Sequence, residues 1–322
     1  MKARELLVLS GLGCSVLLPC AVSAQKYPSQ PVRIVVGFQA GGGTDIAARE
    51  IAQKLTGSLG GSFIVDNRPG AAGNIAAELV ARAPADGHTI LMANSTIAIP
   101  SLFAKLAFDI RKDFDPLSLI ALGPSVLVVH PSLPVNDVKG LIGLAKRKPR
   151  QLTYGSGGLG NVTHLEMELF ASMAGIDMVH VPYKGSAPSV LALVSGEMQL
   201  LFTSIPAALP QISAGRMKAI GVSISQRSSA LPNVPTLAEA GLSGYYAASW
   251  YGLFLPVGVA KSTIDILAKE IGTIMRAPDM KEKMLAQGFD PVGNNPAEFA
   301  KFIQEEIPRW EKIVKIAGIK PE

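Results

Sequence analysis

Short apolar runs alternate along this chain with stretches whose apolar residues recur every three or four positions. Val32-Arg33-Ile34-Val35-Val36 reads as a buried strand. After Gly41-Gly42-Gly43 the period changes, and Ala47, Ile51 and Leu55 mark the inner stripe of a helix starting near Thr44. Phe63-Ile64-Val65 is a second strand, ending at Asp66-Asn67-Arg68-Pro69-Gly70. The next helix is expected to turn Ile75, Leu79 and Val80 inward and to close at Pro84. Ile90 to Ala93 is a third strand. Such βαβαβ alternation predicts an α/β fold with a mostly parallel sheet covered by helices.

The pattern resumes after Pro131. Leu141, Leu144 and Ala145 mark a helix, Leu152 to Tyr154 a strand, and Gly155 to Gly160 a glycine loop. Leu165, Leu169 and Met173 give the following helix its stripe. Strands follow at Val179 to Val181, Leu200 to Phe202 and Ala219 to Val222, and the tail from about Ser262 reads as three helices, the last starting near Pro296. Two apolar strands stand apart, Val126 to Val129 and Tyr251 to Leu255. If they cross between lobes, residues 25–125 plus 255–322 form one lobe and 126–254 the other. Two crossings make a hinge, and a cleft between hinged lobes is where ligands prefer to sit.

The N-terminus is patterned differently. Lys2 and Arg4 precede an apolar run from Leu6 to Leu18, and Val22-Ser23-Ala24 supplies small residues. That layout predicts a secretory signal peptide over residues 1–24, cleaved after Ala24, and hence a periplasmic product. The two cysteines, Cys14 and Cys20, both fall in this leader. The mature chain would hold no disulfide and no Cys metal site. Neither cysteine has the flanking residues of a lipid-anchored one.

The chain has 322 residues, more than one core usually fills, and its 48% apolar and 17% charged residues fit a packed globular protein. Beyond the leader no apolar run is long enough to span a membrane. The net charge of +5 falls to +4 once Lys2, Arg4 and Glu5 leave. The densest basic cluster, Lys146-Arg147-Lys148-Pro149-Arg150, ends a helix, where cations complement the dipole. No aromatics interleave it, so nucleic-acid binding is not expected.

Two glycine loops carry the candidate chemistry. Gly37 to Asp45 lies between a strand and a helix, where successive backbone N–H groups form an anion site. It is no Walker loop, because no Gly-Lys-Ser/Thr follows. Thr44 or Asp45 can cap the helix. An Asp45 carboxylate would repel an anion, although it could meet a ligand amine. The second loop, Gly155-Ser156-Gly157-Gly158-Leu159-Gly160, matches G-x-G-x-x-G. A dinucleotide site needs an acid after the next strand, and Pro182-Tyr183-Lys184-Gly185 stands there instead. The loop can bind a carboxylate through Ser156 and its backbone. Thr163-His164-Leu165-Glu166 reads as a capping box, which competes with ligand contact for Thr163. His164 opens a helix facing the expected cleft. Asn94-Ser95-Thr96 and Thr203-Ser204 follow strand ends, where open α/β sheets place ligands.

Catalytic constellations fail on inspection. Tyr154 stands where a nucleophile elbow around Ser156 needs Gly. The four histidines, His88, His130, His164 and His180, lack close metal-ligand spacing. No paired carboxylates stand out, and no motif calls for a cofactor.

In order and spacing these motifs resemble the Bug-type receptors of tripartite tricarboxylate transporters. The resemblance spans the mature chain. It rests on Tyr27 to Val36, Ala40-Gly41-Gly42-Gly43-Thr44-Asp45, Asp66 to Asn74, Tyr154-Gly155-Ser156-Gly157, His180 to Pro188, and Pro232-Asn233-Val234-Pro235-Thr236. It implies a two-lobed type II periplasmic binding fold and a small carboxylate held by backbone groups and bridging waters. Phe38, Gln39, Ala40, Gly41, Gly42, Ala72, Asn94, Ser95 and Thr96 would line the first lobe, and Ser156, Gly157, Thr163 and His164 would close from the second. Two departures stand out. Gly37 occupies a usual Pro position, which would loosen the first loop. Thr203 occupies the place of an Asp, which favours a plain carboxylate over an amino acid. The implied partners are the ligand and the transporter's membrane components, with the receptor a monomer. An exported enzyme acting on a small acid, and a receptor feeding a membrane sensor, are the alternatives.

Overall fold

The computed structural model describes residues 27–99 and 106–319. The leader, with Cys14, Cys20 and the expected cleavage after Ala24, lies outside the described residues.

The chain first runs β1 (Val32–Val36), α1 (Gly43–Leu59), β2 (Phe63–Asn67), α2 (Asn74–Ala81), β3 (Thr89–Asn94) and β4 (Phe114–Gly123). It continues through β5 (Ser125–Val129), α3 (Val138–Arg147), β6 (Thr153–Ser156), α4 (Val162–Ala174), β7 (Val179–Pro182), α5 (Ser186–Val194), β8 (Leu200–Ser204), α6 (Ile205–Ser213) and β9 (Lys218–Val222). The last part is β10 (Ser249–Pro256), α7 (Lys261–Arg276), α8 (Pro278–Ala286), β11 (Asp290–Pro291) and α9 (Pro296–Ala317).

These strands form two sheets flanked by helices. One has the order β11-β4-β10-β3-β1-β2 and the other β7-β6-β8-β5-β9. β1 is parallel to β2 and β3, and β6 is parallel to β7 and β8. β10 is antiparallel to both its neighbours, as is β5. These two strands are uninterrupted apolar runs because both faces of each are covered, and every residue of each is buried. The chain passes from sheet to sheet through Pro124 alone, and returns between β9 and β10.

Two positions depart from the expected helix stripes. Ile75 is 52% exposed. α2 starts only at Asn74, so Ile75 points out of its first turn while Ala76, Ala77 and Val80 face the core. Met173 is also exposed, because α4 ends one residue later at a left-handed Gly175 and its buried face runs through Phe170 and Ala174.

α9 ties the layers together. Asn295 and Glu298 form a capping box at its start. It packs on β4 and on α4. Its buried Glu306 accepts hydrogen bonds from the indole N–H groups of Trp250 (3.0 Å) and Trp310 (3.1 Å), and Arg309 pairs with its other oxygen. Removing that acceptor strands two buried donors, each costing about 1–3 kcal/mol. Glu306→Ala is therefore expected to lower unfolding free energy by about 2 kcal/mol or more, and Glu306→Gln by less, in urea titrations followed by tryptophan fluorescence.

Candidate ligand-binding site

Between the sheets, four helices point their N-termini at one small cavity. α1 contributes Gly42, Gly43 and Thr44, α4 contributes Asn161, Val162 and Thr163, and α5 contributes Gly185 and Ser186. Ser204, the N-cap of α6, completes this wall. Phe38, Asn94, Ser125, Ser249 and Tyr251 close the rest. A helix leaves its first N–H groups without intrahelical partners, and its dipole places partial positive charge there. At α1 and α5 no side chain caps those groups, whereas α6 opens with the Ile205 N–H on the Pro124 carbonyl and with Pro206, which has no N–H. No lining residue carries a charge. The cavity's character is thus set by N–H dipoles, hydroxyls and amides, a set that suits an anion. Its volume of ≈ 20 Å³ has room for about one water in this closed arrangement.

Glycine is required at 43 by space. A Cβ there would stand 2.4 Å from the Tyr251 hydroxyl and 2.9 Å from Ser204 Oγ. Gly37 is a close-packing position, since a Cβ would meet Gly73 Cα at 2.5 Å. The first loop is therefore pressed against the Gly70–Gly73 segment, whereas the sequence alone suggests a loosened loop.

The residues expected from sequence to bind ligand fall into groups in the structure. Phe38, Gly42, Asn94 and Thr163 line the polar cavity. Ala72 and Gly157 line a wider cleft just outside it, with Phe38 shared by both. Gln39, Ala40 and Gly41 form the exposed rim of the first loop, and Gln39 N–H donates to the Lys184 carbonyl across the cleft at 3.3 Å. Thr96 spans the lobes by accepting from Asn161 Nδ2 (3.1 Å) and Val162 N–H (3.2 Å). Ser95 turns instead toward Ser249 Oγ and the Trp250 N–H. Thr203 is fully buried, and its hydroxyl has no hydrogen-bond partner among the described residues.

Asp45 sits behind the loop. Its carboxylate accepts from Gly41 N–H, Arg49 Nε and Asn67 Nδ2, each at 2.9 Å. Burial pushes its pKa up, but these donors and the Arg49 charge outweigh it and hold the group below the usual carboxylate range. Its negative charge is spent on the loop backbone and the guanidinium.

Thr163 does not cap α4. The cap is Asn161, whose Oδ1 accepts from Thr163 N–H at 3.0 Å. The Thr163 hydroxyl accepts from Gly157 N–H at 2.8 Å and fixes the glycine loop. Glu166, read from sequence as the partner acid of a capping box, is fully buried. Asn161 carries the commonest N-cap signature, and that was the available signal for it.

His164 is stacked on His180 with ring centroids 4.1 Å apart, and the Tyr154 ring stacks with both, at 4.9 Å from His180 and 6.4 Å from His164. Burial lowers both pKa values, His164 to about 3 with help from its neighbour ring and His180 to about 4. Both are neutral at ordinary pH. His180 Nε2 lies 2.6 Å from Ser156 Oγ, which also bonds Gly158. Among the described residues no carboxylate orients His180, so the contact braces the glycine loop. The pairing was hidden in the sequence because it depends on β6 and β7 being neighbours.

Two helix-flanked sheets with helix N-termini turned to the cleft between them are the architecture of a type II periplasmic binding fold. The model of the tripartite tricarboxylate transporter family receptor, TctC, matches residues 47–319, and the chain belongs to that family. It is 33% identical over 324 residues to BugT of Bordetella pertussis, covering 99% of each chain. Among solved structures it is similar to R. palustris Rpa4515 with adipate, at 38% identity and a TM-score of 0.90, covering 92% of this chain and 100% of that one. It is also similar to MatC from Rhodopseudomonas palustris with bound malate, at 31% identity and a TM-score of 0.83, covering 89% and 100%.

Behind the cavity wall, Glu166 lies against Ser125, and neither of its carboxyl oxygens has a hydrogen-bond partner among the described residues. Desolvation pushes its pKa up to about 8. An acid raised in the folded state stabilises while protonated, so stability should fall as pH rises from about 4.5 to about 8. Glu166→Gln is expected to remove that slope, raising the melting temperature at pH 8 and changing it little at pH 4.5. Parallel slopes for the two proteins in a thermal-unfolding series would show that Glu166 is ionised throughout.

Proposed function

We propose that this protein is a periplasmic solute-binding receptor, without a catalytic step, that captures a small carboxylate and delivers it to the membrane components of a tripartite tricarboxylate transporter. The observation that carries this reading is the convergence of four helix N-termini on a cavity with no charged lining residue. A carboxylate there accepts several N–H bonds and meets favourable dipoles without a counter-charge. The bound adipate and malate of the two R. palustris relatives support the ligand class.

One lobe is built on the sheet of β1 to β4, β10 and β11 and the other on the sheet of β5 to β9. This moves the expected boundary at 254 back to before Ser249, because β10 pairs along its whole length with β4 and does not cross between lobes. The hinge lies where the chain passes between sheets. The lobes part to admit ligand, because the closed cavity has room for about one water. Ligand then favours closure, which brings Thr96 to Asn161 and Gln39 to Lys184. Residues 1–24 direct export and are removed, and the receptor works as a monomer.

Carboxylates should raise the melting temperature of the purified protein, while their amides at equal concentration should not. Gly43→Ala places a methyl group in the cavity and is expected to weaken carboxylate binding by about tenfold or more in isothermal titration, a loss of about 1.4 kcal/mol. Stabilisation by the amides as well as the acids would sink the reading.

A further inference from the structure

Val162 lines the polar cavity, and Glu166 follows it by one helical turn on the same face of α4. Ser125 touches both, since it lines the cavity and lies against the Glu166 carboxyl. Ser204, its cross-strand partner on β8, also lines the cavity, and its buried hydroxyl has no hydrogen-bond partner among the described residues. Glu166 is fully buried and makes no ion pair among the described residues. Acids are almost never buried in this way without a partner. One hydroxyl therefore separates an unpaired acid from the place where an anion would sit.

The titratable groups that face Glu166 are two phenols. Tyr251 comes from β10, and Tyr245, whose hydroxyl donates to the Glu166 carbonyl at 2.8 Å, from the segment before it. Burial raises both above the ordinary phenol range, so they stay neutral. On α4 itself Glu168 accepts from the Tyr154 hydroxyl of β6, and His164 is stacked on His180. β8 meets α4 with apolar side chains, Phe202 against Phe170. α9 also packs on α4, and its Glu306 is committed to Arg309, Trp250 and Trp310. Across the cavity, Asp45 is held ionised by Arg49.

Resting on the carboxylate-receptor reading above, we propose that Glu166 is a positioning residue that makes anion capture proton-linked: the cavity takes its anion while Glu166 carries a proton and rejects it once that proton is lost. Protonated, Glu166 leaves the Ser125 hydroxyl hydrogen free to point at the anion. Ionised, it draws that hydrogen to itself and turns the Ser125 lone pairs toward the cavity. Its own charge then repels the anion through surroundings that hold little water. Burial sets the Glu166 pKa at about 8, which puts the change in the mildly alkaline range. An anion in the cavity raises it further, so a proton from solvent accompanies ligand entry and affinity falls as pH rises.

Isothermal titration of the purified protein with adipate, malate and benzoate tests this, because all three acids stay ionised across the range. Each titration is run in two buffers of different ionisation enthalpy. The dissociation constant of the tightest-bound acid is expected to rise about tenfold between about pH 6.5 and about pH 9. The buffer pair should report uptake of about half a proton per acid bound near about pH 8.5. Glu166→Gln, an uncharged isostere, should keep its neutral-pH affinity into the alkaline range and take up no proton. Circular dichroism checks that the variant is folded, and if it is not, proton uptake by the unsubstituted protein decides. A flat affinity without proton uptake overturns the proposal, as does a pH dependence that Glu166→Gln leaves intact. In either case the carboxylate-receptor reading survives, because acids still bind. A protein that binds none of the three acids at any pH overturns both.

Discussion

Unsatisfied N–H groups at helix N-termini are the constraint around which this molecule is organised. Leaving such groups buried without partners is costly, and a cavity that gathers four helix starts concentrates the cost in one place. Side chains that would ordinarily cap them are missing at α1 and α5. An anion can answer the donors at the starts of α1 and α5, since the Val162 and Thr163 N–H groups of α4 are taken by Thr96 and Asn161, and α6 opens with Ile205 bonded to the Pro124 carbonyl and with Pro206. The surrounding residues keep formal charge away. Asp45, the nearest acid in the first loop, is bound to Arg49, Asn67 and the Gly41 N–H, and Glu166 is held neutral behind Ser125 up to mildly alkaline pH.

The same donors couple ligand to lobe arrangement. α1 starts from the β11-β4-β10-β3-β1-β2 sheet, while α4, α5 and α6 start from strands of the other. No single lobe contains the whole ring. Thr96 reaching Asn161 and the Val162 N–H, and Gln39 reaching the Lys184 carbonyl, are direct bonds across the gap. Each is individually modest, about 1 kcal/mol net. A closure held by a few such bonds can be tipped by a ligand that binds only when both sets of helix ends are near.

Much of the site was legible because strand-loop-helix transitions rich in glycine announce themselves. Gly42 follows from that rule, Asn94 from its place past a strand end and Phe38 from the family resemblance, and all three line the cavity. Thr163 was legible as a residue of interest but not in its role, since a capping box and an Asn cap two residues earlier look alike until backbone angles are known. Ser125, Ser249 and Tyr251 were missed as lining residues. They lie on β5 and β10, which read as plain apolar strands, and nothing local marks one end of such a strand as facing a ligand. Ile75 and Met173 show the limit of periodicity near helix ends, where one residue of shift in the boundary turns a side chain from core to solvent.

By itself the sequence determined the α/β class, the alternation of strands and helices, the two glycine loops and their fitness for an anion. These are local consequences of period, turn chemistry and backbone freedom, and they need no partner far along the chain. The resemblance of its motifs pointed to the receptor family. Only the tertiary structure decided that helix starts from both sheets meet at one cavity, that His180 braces Ser156, and that Glu166 is buried with no hydrogen-bond partner among the described residues. Those facts rest on contacts between residues far apart in sequence, fixed by strand order and by the two passages between sheets, and no local pattern encodes them.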